Sequence, residues 1–179
     1  MQRAGRREDA ILFVGSLFSS DDVFSAAEQD LREVFGRVLF KSPTVRWDYS
    51  EYYNTELKPP ILRNFLFFEA VIDPPRLVEA KLAVTQMEEK FSLNGRRLIN
   101  LDPGYLTLAK VVLASKKNYS HRINLGRGVF AELELFFRQS RFNPMPYTYA
   151  DYRDKRFLAF FATARKLLKK SLEAEKKAL

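Results

Sequence analysis

The sequence predicts an α+β fold: a ferredoxin-like (split βαβ) core extended by a β-hairpin and a long C-terminal helix. Three observations lead there. Apolar runs with β-branched or aromatic members alternate with segments of helical apolar spacing, in the order β-α-β-β-α-β. Gly126-Arg127-Gly128 joins two further extended segments as a short hairpin turn would. From about Asp154, Phe157, Phe160, Phe161, Ala164, Leu167, Leu168 and Leu172 form one stripe down a long helix.

The elements follow in order. Ile11–Phe18 (ILFVGSLF) is apolar throughout and reads as a buried strand. Ser19, Ser20, Asp21 and Asp22 supply cap oxygens and negative charge for a helix start, and Gly36 ends that helix. Val38–Phe40 and Thr44–Asp48 read as short extended pieces around Pro43, and Asn64–Ile72 (NFLFFEAVI) as a central strand. Asp73-Pro74-Pro75 starts a second helix, with Asp73 as cap and Pro74 where no amide hydrogen is needed. Leu77, Ala80, Val84, Met87 and Phe91 form its apolar stripe, Asn94-Gly95 marks a turn, and Arg97–Leu101 reads as the next strand. Tyr105–Ser115 fits either a short buried helix or a strand. Val129–Arg138 alternates, as the second arm of the hairpin should.

A length of 179 residues suits one domain spanning 1–179, with 1–9 as a flexible N-terminus and 173–179 as a frayed basic helix end. Zero cysteines exclude disulfides, thiolate metal centres and cysteine nucleophiles, and one histidine excludes multi-histidine metal sites. No apolar run approaches the ~20 residues of a membrane helix, and the charged start lacks a signal-peptide core, so a cytoplasmic protein is expected. The net charge of +8 is unevenly placed. Residues 1–94 carry 12 basic and 15 acidic side chains, 95–141 carry 9 and 3, and 142–179 carry 9 and 4. Such an excess attracts phosphate-bearing partners; for the Lys-rich end of the last helix a solvated polar face is the plainer explanation, with RNA or an anionic membrane surface as the alternative.

Two segments bear candidate chemistry. Asp102-Pro103-Gly104 reads as a turn after a strand, because proline presets one dihedral and glycine accepts a positive one. There Asp102 is a candidate general base or Mg²⁺ ligand, and Tyr105 a candidate donor. Lys116–Arg122 (KKNYSHR) places the single histidine, His121, among Lys117, Tyr119 and Arg122, groups suited to binding a phosphate. An exposed basic turn is the plainer explanation. Gly126-Arg127-Gly128 precedes a strand, so it is no phosphate cradle, and the absence of G-x-x-x-x-G-K-[ST] excludes a P-loop. Two aromatic–acidic loops, 46–53 and 146–153, suit either rim-covering lids or stacking on a base or sugar. Asp48, Glu51 and Asp151 in them are candidate oxygen ligands for a hard cation.

Taken together, Asn100–Lys110 (NLDPGYLTLAK), Lys117–Ile123 (KNYSHRI), Leu125-Gly126 and Pro144–Arg153 resemble the bacterial family catalogued as domain of unknown function 4416. The resemblance runs from Leu12-Phe13-Val14-Gly15 to the last helix. It implies a compact single-domain protein with a recurring Asp-Pro-Gly turn. Some members carry a GTP-binding label, which without a P-loop would require another cradle, for which Lys116–Arg122 is the candidate. The chain departs from the family at Tyr147 and Ala150, where Trp and Pro are expected.

The sequence therefore predicts binding of a small phosphorylated or anionic ligand, with a nucleotide such as GTP among the candidates. Lys110, Lys117, Tyr105, Tyr119 and Arg122 are the expected binding residues, and Asp102 and Asp48 the expected Mg²⁺ ligands. Were the protein an enzyme, His121 and Asp102 would be the acid–base pair. An RNA-binding module and a partner-binding adaptor without catalysis are the alternatives.

Overall fold

The computed structural model describes residues 9–177. Expectations for residues 1–8 and for the last two residues lie outside them. The elements are β1 (Ala10–Phe18), α1 (Asp21–Phe35), β2 (Val38–Lys41), β3 (Val45–Trp47), α2 (Asn54–Leu57) and β4 (Ile61–Ile72). There follow α3 (Leu77–Lys90), β5 (Ser92–Leu93), β6 (Arg96–Arg97), β7 (Ile99–Leu106) and β8 (Lys110–Ser115). The chain ends with β9 (Ile123–Gly126), β10 (Val129–Arg138), β11 (Arg141–Pro144) and α4 (Lys155–Lys177).

One antiparallel sheet runs β11-β10-β8-β7-β1-β4-β2, with β3 also on β4 and β9 also on β10. The spatial order β7-β1-β4-β2 is the split βαβ arrangement. Beyond β7, the strands β8, β10 and β11 widen the sheet, and β9–β10 is the hairpin. Its turn holds Gly126, Arg127 and Gly128 all at positive φ, which explains two glycines there.

β1 is buried over all nine residues because it is covered on both faces. Leu12, Val14 and Phe18 face Phe24, Ala27 and Leu31 of α1 and Ala80, Val84 and Met87 of α3. Ile11 and Phe13 face Phe157, Phe161, Ala164 and Leu168 of α4. Phe161 is central to that second layer, with ring centroids 5.2 Å from both Phe13 and Phe65. Ser20 caps α1 as expected, its side chain accepting from the Val23 amide, and Gly36 closes it. Among the described residues no helix is long and apolar enough to cross a membrane.

Three local expectations need correction. Asp102-Pro103-Gly104 is not a turn but lies inside β7. Tyr105–Ser115 is neither one helix nor one strand. Tyr105 and Leu106 end β7, and Thr107 turns the chain by accepting from the Ala109 and Lys110 amides before β8 begins. The central strand β4 starts earlier than expected, at Ile61, because it continues through the buried Arg63.

Candidate functional site

The sheet is split. β7 and β8 pair only over Gly104–Leu106 and Val111–Leu113. Past Gly104, β7 stays on β1 while β8 follows β10, with Ala131 opposite Ala114 and Phe130 opposite Ser115. The edge of β7 left open is satisfied from α3. The Leu101 amide donates to Glu88 Oε1 at 2.6 Å, and Lys81 Nζ donates to the Leu101 carbonyl at 3.1 Å. Alternate residues of a strand point their backbone groups to the same edge, so Pro103 faces the gap, where its missing N–H costs no ladder bond. Gly104, where β8 rejoins, admits no side chain: an added Cβ would lie 2.3 Å from Phe13 Cζ.

A cavity of about 370 Å³ occupies the gap. It is lined from one layer by Lys81, Thr85, Glu88 and Glu89 of α3, and from the sheet by Asn100, Asp102 and Ser115. Both aromatic loops enclose it from the other layer, through Trp47, Tyr52 and Tyr53 on one side and Tyr149, Asp151 and Tyr152 on the other. Tyr152 anchors the second loop, its ring 5.7 Å from Phe65 and 5.5 Å from Phe161.

Arg63 projects from β4 into this region although it is only 2% exposed. Its guanidinium lies 4.7 Å over the Phe65 ring, donates to the Tyr152 hydroxyl at 3.3 Å, and pairs with Asp151 at 3.4 Å. Trp47 Nε1 donates to the same Asp151 oxygen at 3.1 Å. Gly15 makes this placement possible, since a Cβ there would stand 3.0 Å from Arg63 Nη2. Asp102 pairs with Lys81 at 3.3 Å and accepts from Asn100 Nδ2 at 2.6 Å. Arg97 binds Glu56 through two N–H groups at 2.6 and 2.9 Å and reaches Glu88 at 3.1 Å. Burial pushes the Glu88 carboxyl up, while Lys81 and the Leu101 amide oppose that shift.

The basic turn is laced to the same cavity. Arg122 donates to Glu132 at 3.1 Å, to Ser115 Oγ at 3.0 Å, to the Lys117 carbonyl at 2.8 Å and to the Tyr149 hydroxyl at 2.6 Å. His121 Nε2 lies 2.7 Å from Glu132 Oε2, and its ring stacks on Tyr147 at 4.1 Å between centroids. Lys117 Nζ donates to the Tyr52 hydroxyl at 2.6 Å.

Of the expected site residues, Asp102 and Lys117 line the one cavity. Arg122 stands behind it as a strut, bonded to Ser115 and Tyr149 of its wall. His121 is one carboxylate away, and that carboxylate is Glu132 rather than Asp102, so the expected acid–base pair is not assembled. Tyr119 is 66% exposed outside the cavity. Tyr105 packs beside Leu77, Val78 and Val112, and Lys110 sits opposite Phe136 on β10. Asp48 lines a separate hollow with Tyr49 and Glu51. Since Asp102 already serves Lys81 and Asn100, and no three His, Cys, Asp or Glu cluster around a metal position among the described residues, the Asp102–Asp48 pair does not fit Mg²⁺. Sequence reasoning missed Arg63, Lys81, Glu88, Arg97 and Glu132. Two signals were present: Arg63 interrupts an apolar strand, and Lys81 and Glu88, seven apart, fall on the buried side of α3.

The sequence model of the domain of unknown function family (DUF4416) matches residues 8–168. The chain belongs to this family. No curated protein and no solved structure matches it. The stretch shared with the DUF4416 family includes every residue lining the cavity and stops within α4.

Next to the cavity, burial and the neighbouring Glu132 push the Glu134 carboxyl up from 4.5 to about 8. The native state then keeps a proton the unfolded chain has lost. Stability from this group is full below about 4.5 and falls as pH rises toward about 8. Glu134→Gln should flatten the decline of unfolding free energy across that window, by on the order of 5 kcal/mol in urea titrations. Equal slopes in variant and wild type would refute the assignment.

Proposed function

We propose that the chain binds a small phosphorylated or otherwise anionic ligand in the cavity of the split sheet, with nucleotides among the compounds of suitable size. The supporting observation is the disposition of charge. Five cationic and five carboxylate side chains line the cavity. Asp102, Asp151, Glu88 and Glu132 are each already paired with a cation. Lys116 and Lys117 have no carboxylate partner among the described residues, and the unpaired carboxylate of the lining, Glu89, stands on α3, so the wall formed by Lys116 and Lys117 carries unpaired positive charge. Tyr52, Tyr53 and Tyr149 offer faces and hydroxyls to a sugar or base. The volume is within the range of small-molecule sites.

Calorimetry with inorganic phosphate, sugar phosphates and nucleotides, each organic ester beside its unphosphorylated counterpart, tests this. A phosphorylated compound should bind saturably, and Lys117→Ala should weaken it about tenfold, the worth of one charge-assisted hydrogen bond. No binding by any ester, or identical binding by Lys117→Ala, would sink the proposal. The RNA reading is supported by three exposed tyrosines, Tyr52, Tyr119 and Tyr149, beside the basic turn. It would require RNA retention that falls steeply with salt.

A further inference from the structure

The cavity contains an acceptor that the protein itself leaves unmet. Glu132 lines the wall from β10 with its side chain 1% exposed. Its Oε2 is held by two partners, His121 at 2.7 Å and Arg122 at 3.1 Å, which fix the carboxylate plane. Oε1 is buried and has no hydrogen-bond partner. A buried acceptor without a donor carries the full cost of its lost hydration, and such a group in a native protein calls for an explanation, a bound donor being one. Of the other buried side-chain atoms without a partner, Arg63 Nε is a donor, and Ser16 Oγ, Asn64 Oδ1 and Glu134 Oε1 belong to residues that do not line the cavity.

We infer that the ligand of this cavity carries, besides its anionic group, a hydroxyl or ammonium donor, and that this donor docks on Glu132 Oε1. The inference rests on the proposed anion site and adds the chemistry of the ligand's other end. The anion meets Lys117 and the donor meets Glu132. His121 and Arg122 are positioning residues, because they hold Oε2 and leave Oε1 without a protein donor. A phosphate ester of an amino alcohol or polyol has both ends, whereas a simple alkyl phosphate has one.

Three probes separate the possibilities in calorimetry: ethyl phosphate, phosphoethanolamine and glycerol 3-phosphate. Both donor-bearing esters should bind at least about tenfold more tightly than ethyl phosphate, as expected for a donor meeting a buried carboxylate. In Glu132→Gln the amide oxygen stays with Arg122 and His121 and the NH₂ turns inward. The tenfold advantage should then vanish while ethyl phosphate binds as before. Lys117→Ala should weaken all three alike and preserve their ratio. Equal wild-type affinities for the three overturn the inference but leave the anion site standing. Binding of none overturns the anion site itself. If Glu132→Gln does not fold, the wild-type comparison of the three esters still decides.

Discussion

Asp151→Ala is expected to destabilise the protein by about 3–5 kcal/mol, the cost of stripping one partner from a buried ion pair. Arg63 is 2% exposed, and Asp151, at 3.4 Å, is the carboxylate that meets it. Burial acts to lower the Arg63 pKa, and Asp151 is the largest influence opposing that. Loss of Asp151 leaves a guanidinium in an apolar setting between Phe65 and Tyr152, and removes the acceptor of Trp47 Nε1. Urea unfolding measures the effect. The double variant Arg63→Met, Asp151→Ala should recover part of the loss, since it deletes the stranded charge as well. A single variant within about 1 kcal/mol of wild type would mean that Arg63 is neutralised from elsewhere.

Gly104→Ala should cost about 3 kcal/mol or more, at the upper end for overpacking, and lower Tm by roughly 10 °C. The reason is space, since φ at Gly104 is not positive. An added Cβ would stand 2.3 Å from Phe13 Cζ and 2.5 Å from the Val112 carbonyl oxygen. The ring can rotate away, but the carbonyl belongs to the β7–β8 ladder and cannot retreat without unpairing it. Phe13→Leu should therefore rescue Gly104→Ala only in part. A wild-type Tm for Gly104→Ala would show that the strands separate freely at this point.

The framework was readable because local and global signals agree along it. Ser20 and Gly36 bound α1 as capping chemistry dictates, and the stripe from Phe157 to Leu172 belongs to the helix that covers one face. The Asp102–Gly104 segment misleads because its residue types are right for a turn but are used for other reasons. Pro103 is tolerated at an edge where β8 has departed, and Gly104 is demanded by a ring from β1. Both reasons are tertiary and leave no local trace. Asp102 and Lys117 line one hollow, whereas Tyr105 and Lys110 follow strand alternation away from it. The deepest parts of the site, Arg63 and Glu132, were hidden by their settings. A charged residue within an apolar strand resembles a solvent-facing position until both faces of the sheet are known to be covered.

The parting of β7 and β8 has a further consequence. A hollow that passes from one layer of a protein to the other can be resized from behind. Thr85 and Glu89 stand on a helix turned away from the tyrosine rim, yet they close the rear of the chamber. Shortening them would deepen it and lengthening them would make it shallower, with roof, rim and framework untouched. The depth of the hollow and the tyrosines at its rim are thereby placed on different elements, free to vary independently.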